Sequence, residues 1–308
     1  VYPPLAAVAF TPFALLSRDT AQAVYLLVGI ACVPATLRVL QVRDWRLYGL
    51  AMLWSPIFLG WEIGNVTLPL MLLIAVVWRH RHRPLVVGLL TAVAVSIKPL
   101  VWPLALWLLV TRRWRAAAWG LASGLAINLA VWGLVGFNAI RAYLNVSSEV
   151  TTALWRGGYG VLAVAHHTGL GRTAGEVLLV VISVGVGAAV IFFGARRRND
   201  RAALVLAIAL MLLASPLVWA HYFALLLVAM AVCRPRLDMV WALPILMWPL
   251  PPRLPVAGWQ EVIAWTVAAA IVVLCLRTRH EGFASPSLVR SAGARRRPAL
   301  AVAHVDPQ

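Results

Sequence analysis

The chain reads as an all-α protein, a polytopic membrane bundle of about eleven transmembrane helices with a vestibule on its outer face. Three observations lead there. Of its 308 residues 62% are hydrophobic and 12% charged, whereas a soluble domain is about half apolar and about a quarter charged. Apolar runs near span length follow one another along most of the chain, and arginines gather at every second gap between them. This composition excludes a disordered chain, a disulfide-stapled secreted domain and an ordinary cytosolic enzyme. The runs lack the alternating polarity of a membrane barrel, so the spans are helices.

A bilayer core of ~30 Å takes about 20 helical residues, fewer beside a water-filled cavity. Cutting at charges and at Pro or Gly clusters places apolar segments at 21–40, 47–60, 65–78, 84–97, 99–111, 115–136, 176–195, 201–214, 217–233, 239–250 and 258–276. A shorter run, Pro4 to Leu16, is interrupted by Pro12 and is expected to lie on the outer face without crossing. Lys and Arg accumulate on the cytoplasmic side of membrane proteins. Arginine clusters stand at 38–46, 79–83, 112–115, 196–201 and 234–236 and again from Arg277 on; the alternate gaps, 60–64, 96–99, 215–216 and 249–258, carry almost none. The alternation holds if 84–111 is two short helices parted at Lys98-Pro99. It predicts a multi-pass plasma-membrane protein whose active face is extracytoplasmic.

Residues 1–276 are therefore expected to form one transmembrane domain and 277–308 a disordered, basic, cytoplasmic tail near anionic lipid headgroups. The opening Val1-Tyr2-Pro3-Pro4 has no basic n-region of a signal peptide, and the reading expects a piece ahead of it to be absent. The net charge of +17 does not signal nucleic acid, because the cations lie between apolar runs rather than on one soluble face. Cys32, Cys233 and Cys275 sit in or at the ends of apolar runs without C-x-x-C spacing and read as small buried hydrophobes. No metal spacing accompanies His166 and His167, and no Walker or dinucleotide-binding loop is present. Neither a metal nor another cofactor is expected.

Four features could carry chemistry. Lys98 is the single lysine of the chain, and an ionisable side chain inside a membrane helix costs ~2.5–3.5 kcal/mol on insertion scales. It reads either as an ammonium at the base of an outer funnel, binding an anionic lipid head, or as a side chain snorkelling to the interface. Ser215-Pro216-Leu217-Val218-Trp219-Ala220-His221-Tyr222 offers donors for phosphate or sugar hydroxyls beside a proline break, or else an interfacial aromatic belt. Glu62, in Trp61-Glu62-Ile63-Gly64-Asn65, could act as a base or bind sugar hydroxyls, or simply be a solvated turn residue. The long outer connection, 137–175, is the kind of loop that usually carries function.

Four segments, in order, carry a resemblance. Tyr2-Pro3-Pro4-Leu5-Ala6-Ala7 with Thr11-Pro12-Phe13-Ala14-Leu15, Gly64-Asn65-Val66-Thr67-Leu68, Ser96-Ile97-Lys98-Pro99-Leu100 with Arg112-Arg113-Trp114-Arg115, and Ser215-Pro216 with Trp219-Ala220-His221-Tyr222 resemble glycosyltransferase family 87. These are GT-C-type, polyprenol-phosphate-mannose-dependent mannosyltransferases of actinobacteria. The segments depart from the family pattern in places, Asn65 standing for Gln and Tyr222 for a second His. The resemblance implies a GT-C-like fold and a polyprenyl-phosphate sugar donor held by Lys98 and His221. It implies a lipid-linked glycan acceptor, and Asn65, Glu62 and Tyr222 are expected to orient sugar hydroxyls. The acidic base is implied to belong to a first outer loop ahead of Val1, so that the chain would be an incomplete copy. The expected function is transfer of a hexose, mannose first, on the outer face of the plasma membrane. The competing class is a lipid-linked-sugar flippase or small-molecule transporter, which would place polar groups near the midplane with access from both sides.

Overall fold

The computed structural model describes residues 2–250 and 256–278, and every regular element among them is helical. The helices are α1 (Pro4–Phe10), α2 (Arg18–Val39), α3 (Trp45–Met52), α4 (Ser55–Ile63), α5 (Thr67–Arg79), α6 (Pro84–Ile97), α7 (Pro103–Val110), α8 (Trp114–Val135), α9 (Ala139–Leu154), α10 (Val161–His167), α11 (Arg172–Ile191), α12 (Asp200–Leu213), α13 (Leu226–Cys233) and α14 (Gly258–Leu276). Short 3-10 stretches follow α1 (Thr11–Leu15), precede α7 (Pro99–Val101) and α13 (Ala220–Leu225), and occupy Met239–Met247. A π-helical turn, Phe192–Arg196, ends α11.

Among the described residues four helices, α2, α8, α11 with its π turn, and α14, are long and apolar enough to cross a membrane; the remaining apolar helices there are shorter. The segments cut from the sequence overlap these elements, 239–250 only a 3-10 stretch, and two of the expectations differ further. Segment 47–60 is two helices, because Ser55-Pro56 starts α4 anew, a proline being tolerated in a first turn but not in a helix interior. The connection 137–175, expected as a loop, is built of α9 and α10. The expected disordered tail falls, from residue 279 on, outside the described residues.

Burial sorts the helices into core and rim. Along α12 every residue from Ala202 to Leu212 is buried, as is every residue of the stretch Ala220–Ala231. A helix apolar all round belongs in an interior, and α12 packs against α7, α11, α13 and α14. By contrast α8 and α11 keep rows of leucine and valine outside, among them Leu121, Leu125, Leu129, Val177, Val180 and Val184. Those faces suit hydrocarbon, not water. Gly88 lets α6 and α8 close up, since a Cβ there would stand 2.6 Å from the Ala116 carbonyl oxygen.

Two breaks position the site. Residues that precede proline avoid the helical region, so Lys98, ahead of Pro99, is extended (φ −146°, ψ 105°) and ends α6. Gly64 adopts φ 65° at the end of α4, a left-handed turn that costs glycine nothing. It reverses the chain into α5 and leaves Asn65 at the turn.

Candidate functional site

Three chain reversals meet around Lys98. Its Nζ lies 3.4 Å from Asn65 Oδ1 and 3.4 Å from Thr67 Oγ1. It sits over the Tyr222 ring at 3.6 Å from the centroid, with the Tyr2 ring 5.7 Å away. Asn65 knits the group together: Oδ1 accepts from the Thr67 amide and hydroxyl, at 3.0 and 2.7 Å, and Nδ2 donates to the Tyr2 hydroxyl at 2.7 Å. Lys98 is only 6% exposed, yet all of these partners are neutral. Among the described residues no carboxylate pairs with it. Attraction to ring faces and amide oxygens offsets part of the desolvation of an ammonium, while an opposite charge offsets far more.

His221 lies in the same buried layer, 2% exposed, its ring set edge-on to Tyr222 at 4.8 Å between centroids and within electrostatic reach of Lys98. Neither ring nitrogen has a hydrogen-bond partner among the described residues. Buried polar atoms without partners are rare in native proteins and call for an explanation.

Lys98 and Tyr222 face a cavity of about 510 Å³. Its floor comes from Lys98, Pro99 and Leu100, one wall from Ser215, Pro216, Leu217 and Trp219, and its roof from one side of α9, including Tyr143, Ser147 and Thr151. The wall is held by a strap, residues 155–160, that runs against it. The Tyr159 amide donates to the Val218 carbonyl at 2.7 Å, and Trp265 Nε1 of α14 donates to the Tyr159 carbonyl at 2.8 Å. A Cβ on Gly158 would lie 2.8 Å from the Val218 oxygen, and one on Gly160 2.7 Å from the Pro216 oxygen. Only glycine permits that approach. Farther along, His167 Nδ1 meets the buried Glu261 carboxylate at 3.0 Å, joining α10 to α14.

Of the residues singled out in the sequence, Lys98, Asn65, His221 and Tyr222 therefore come together. Glu62 does not join them: it is exposed near the end of α4, with no hydrogen bond to this cluster. Sequence reasoning gave Thr67 no role of its own and marked 137–175 as a functional connection without seeing in it the helix α9 that roofs the cavity. The signal for α9 was present, since Ile140, Tyr143, Ser147, Val150, Thr151 and Leu154 recur at helical spacing while Asn145, Glu149 and Thr152 take the opposite side, the pattern of an amphipathic helix. Among the described residues no group of three His, Cys, Asp or Glu side chains is placed to hold a metal.

A family model described as glycosyltransferase family 87 matches residues 1–216. A polyprenol-phosphate-mannose-dependent alpha-(1-2)-phosphatidylinositol pentamannoside mannosyltransferase of Mycolicibacterium smegmatis is 29% identical over 86% of this chain and 64% of its own length. A protein of the same description from Mycobacterium tuberculosis is 26% identical over 93% of this chain and 66% of its own length. The chain thus spans less than two thirds of the length of either relative. No solved structure matches.

Proposed function

The chain belongs to glycosyltransferase family 87, and from that premise we propose that it serves transfer of a hexose, most simply mannose, from a polyprenyl-phosphate carrier to a lipid-linked glycan. The transfer takes place on the outer face of the plasma membrane. The observation that carries this reading is Lys98: a buried cation beside a cavity, surrounded by neutral partners. Such a site lacks one anion, and a sugar phosphodiester supplies it.

In the reaction the bond between the anomeric carbon and the phosphate oxygen breaks while the acceptor oxygen attacks that carbon, and the polyprenyl phosphate leaves with a growing charge. A cation fixed at that oxygen before the reaction starts lowers the barrier. Lys98 takes this position. His221, whose ring nitrogens are unsatisfied, donates a hydrogen bond to the phosphate from one of them. Asn65 and Tyr222 orient sugar hydroxyls at the rim, and the α9 roof keeps water from the reacting carbon. Among the described residues no carboxylate lines the cavity, so the base that accepts the acceptor's proton is not assigned to this group, and Glu62 has no part in it. The arginine-rich end of the bundle faces the cytoplasm in this reading.

The test is equilibrium binding of polyprenyl-phosphate-mannose to the purified protein in detergent. Lys98→Met is expected to raise Kd by about 10–100-fold, the worth of a hydrogen bond to a charged group. Polyprenyl phosphate should compete and polyprenol should not. Undiminished binding by Lys98→Met, or equal competition by polyprenol, removes the phosphate from this site.

A further inference from the structure

The other end of the bundle has a charge problem of its own. The segments 38–46, 79–83, 112–115, 196–201 and 234–238 hold fifteen arginines and three aspartates. The fold joins them into one face. Arg113 Nε donates to the Arg81 carbonyl at 3.1 Å, and its guanidinium pairs with Asp200. Arg201 and Arg234 both lie within electrostatic reach of Cys233, and the Leu237 amide sits against the Asp44 carboxylate. Each aspartate is already taken by one arginine: Asp44 by Arg46, Asp200 by Arg113, Asp238 by Arg234. Twelve guanidinium groups on this face therefore have no carboxylate of their own.

Two of these cations stand where arginine is a poor choice. Arg112 (φ 59°) and Arg198 (φ 50°) occupy the left-handed position just after α7 and after the π turn of α11. The next residue closes the turn in each case, the Arg113 amide donating to the Leu108 carbonyl and the Asn199 amide to the Phe193 carbonyl. Glycine is the residue that fills this position at no steric cost. Both arginine side chains are exposed and make no hydrogen bond or ion pair among the described residues. Within or next to the segments of this face Trp114 and Trp45 are 61% and 79% exposed, as indole rings are at the headgroup level of a bilayer.

We propose that this face is a docking surface for acidic phospholipid headgroups, with Arg112 and Arg198 among its direct contacts. The partner is a lipid rather than a soluble anion because Arg112 and Arg198 flank the ends of α8 and α11, the helices whose leucine and valine rows are exposed. Arg112 and Trp114, two residues apart and both exposed, offer a phosphodiester a guanidinium and an indole. Basic residues close to a membrane gain from anionic lipid in proportion to their number.

The experiment is thermal unfolding of the purified protein in detergent, with phosphatidylglycerol, phosphatidylcholine or inorganic phosphate added at equal concentration. Phosphatidylglycerol should raise Tm by about 4 °C or more through binding to the folded state, the other two by about 1 °C at most. In the double variant Arg112→Gly/Arg198→Gly, Tm without lipid should equal or exceed that of the wild type, because the left-handed turns are relieved. Its response to phosphatidylglycerol should fall by at least half. A full response in the variant, no response in the wild type, or an equal response to phosphatidylcholine or to inorganic phosphate overturns the proposal.

Discussion

The ammonium of Lys98 rests 3.6 Å above the centre of the Tyr222 ring, two residues 124 positions apart in the chain and brought together by two proline-marked breaks, at Pro99 and Pro216. The ring does two things at once. It gives the cation an electrostatic partner that adds no negative charge, and it fixes where the cation points along the cavity wall. In the proposed transfer, the phosphate would meet a charge already placed.

This arrangement separates the ring from its hydroxyl. Tyr222→Phe keeps the face under Lys98 and is expected to change donor Kd by no more than about threefold, the weight of one neutral hydrogen bond. Tyr222→Leu removes the face and should weaken binding by about 5–30-fold, from the ~1–2 kcal/mol of a desolvated cation–π contact. Titration of both variants with the sugar phosphate decides it; equal losses in the two would mean that the hydroxyl, not the ring, matters.

Asn65 tests whether the missing anion is what makes the site. Asn65→Asp would set a carboxylate where Oδ1 now stands, 3.4 Å from Lys98 Nζ. The amide's donation to the Tyr2 hydroxyl would be lost, but an internal ion pair would form. Expected are an unchanged or higher Tm and a donor Kd raised by about 10–100-fold, since the phosphate would then have to displace a charged partner. Tighter donor binding by this variant would mean that Lys98 is not the phosphate's contact.

Much of this was legible in the sequence, because prolines and charges leave local marks. Lys98 stood out as the single lysine and Pro99 forced the break that presents it, so the position of the cation followed from two adjacent residues. The apolar runs gave the helices to within a few residues, 84–97 for α6 and 258–276 for α14 coinciding with the structure. What escaped were matters of packing. Composition does not distinguish α12, buried along its length, from α11, whose valines face outward, because hydrocarbon and protein interior select the same side chains. Glu62 stands apart from the cluster for a related reason. It lies only three residues before Asn65, but the left-handed turn at Gly64 separates the two, and the carboxylate stays outside.

At Gly88 α6 and α8 are in close contact, and the geometry leaves little room for relief. A Cβ would meet the Ala116 carbonyl at 2.6 Å, the Trp119 Cβ at 2.6 Å and the Gly120 amide at 2.7 Å. Two of these neighbours are backbone, so α8 as a whole must shift. Gly88→Ala is expected to destabilise the protein by about 1–3 kcal/mol, the usual cost of overpacking, despite the gain in helix propensity. Thermal or denaturant unfolding in a fixed detergent checks this; a variant as stable as the wild type would mean that α8 can slide along α6 without cost.

Gly160 offers the complementary case, a local change expected to spare the bundle and injure the site. Its Cβ would come 2.7 Å from the Pro216 oxygen and 3.6 Å from the Ser215 oxygen, both in the wall of the Lys98 cavity. The strap cannot retreat freely, because Trp265 holds the Tyr159 carbonyl from the other side. The wall must yield, and with it the 3-10 stretch that carries His221 and Tyr222. Gly160→Ala should therefore weaken donor binding by about 10-fold or more, while global stability falls by only ~1 kcal/mol, near the middle of the range for single substitutions. Gly171→Ala is the control, since nothing stands within 4 Å of a Cβ there. If both variants bind the sugar phosphate like the wild type, the strap does not set the shape of the cavity, and residues 215–222 are positioned by the core alone.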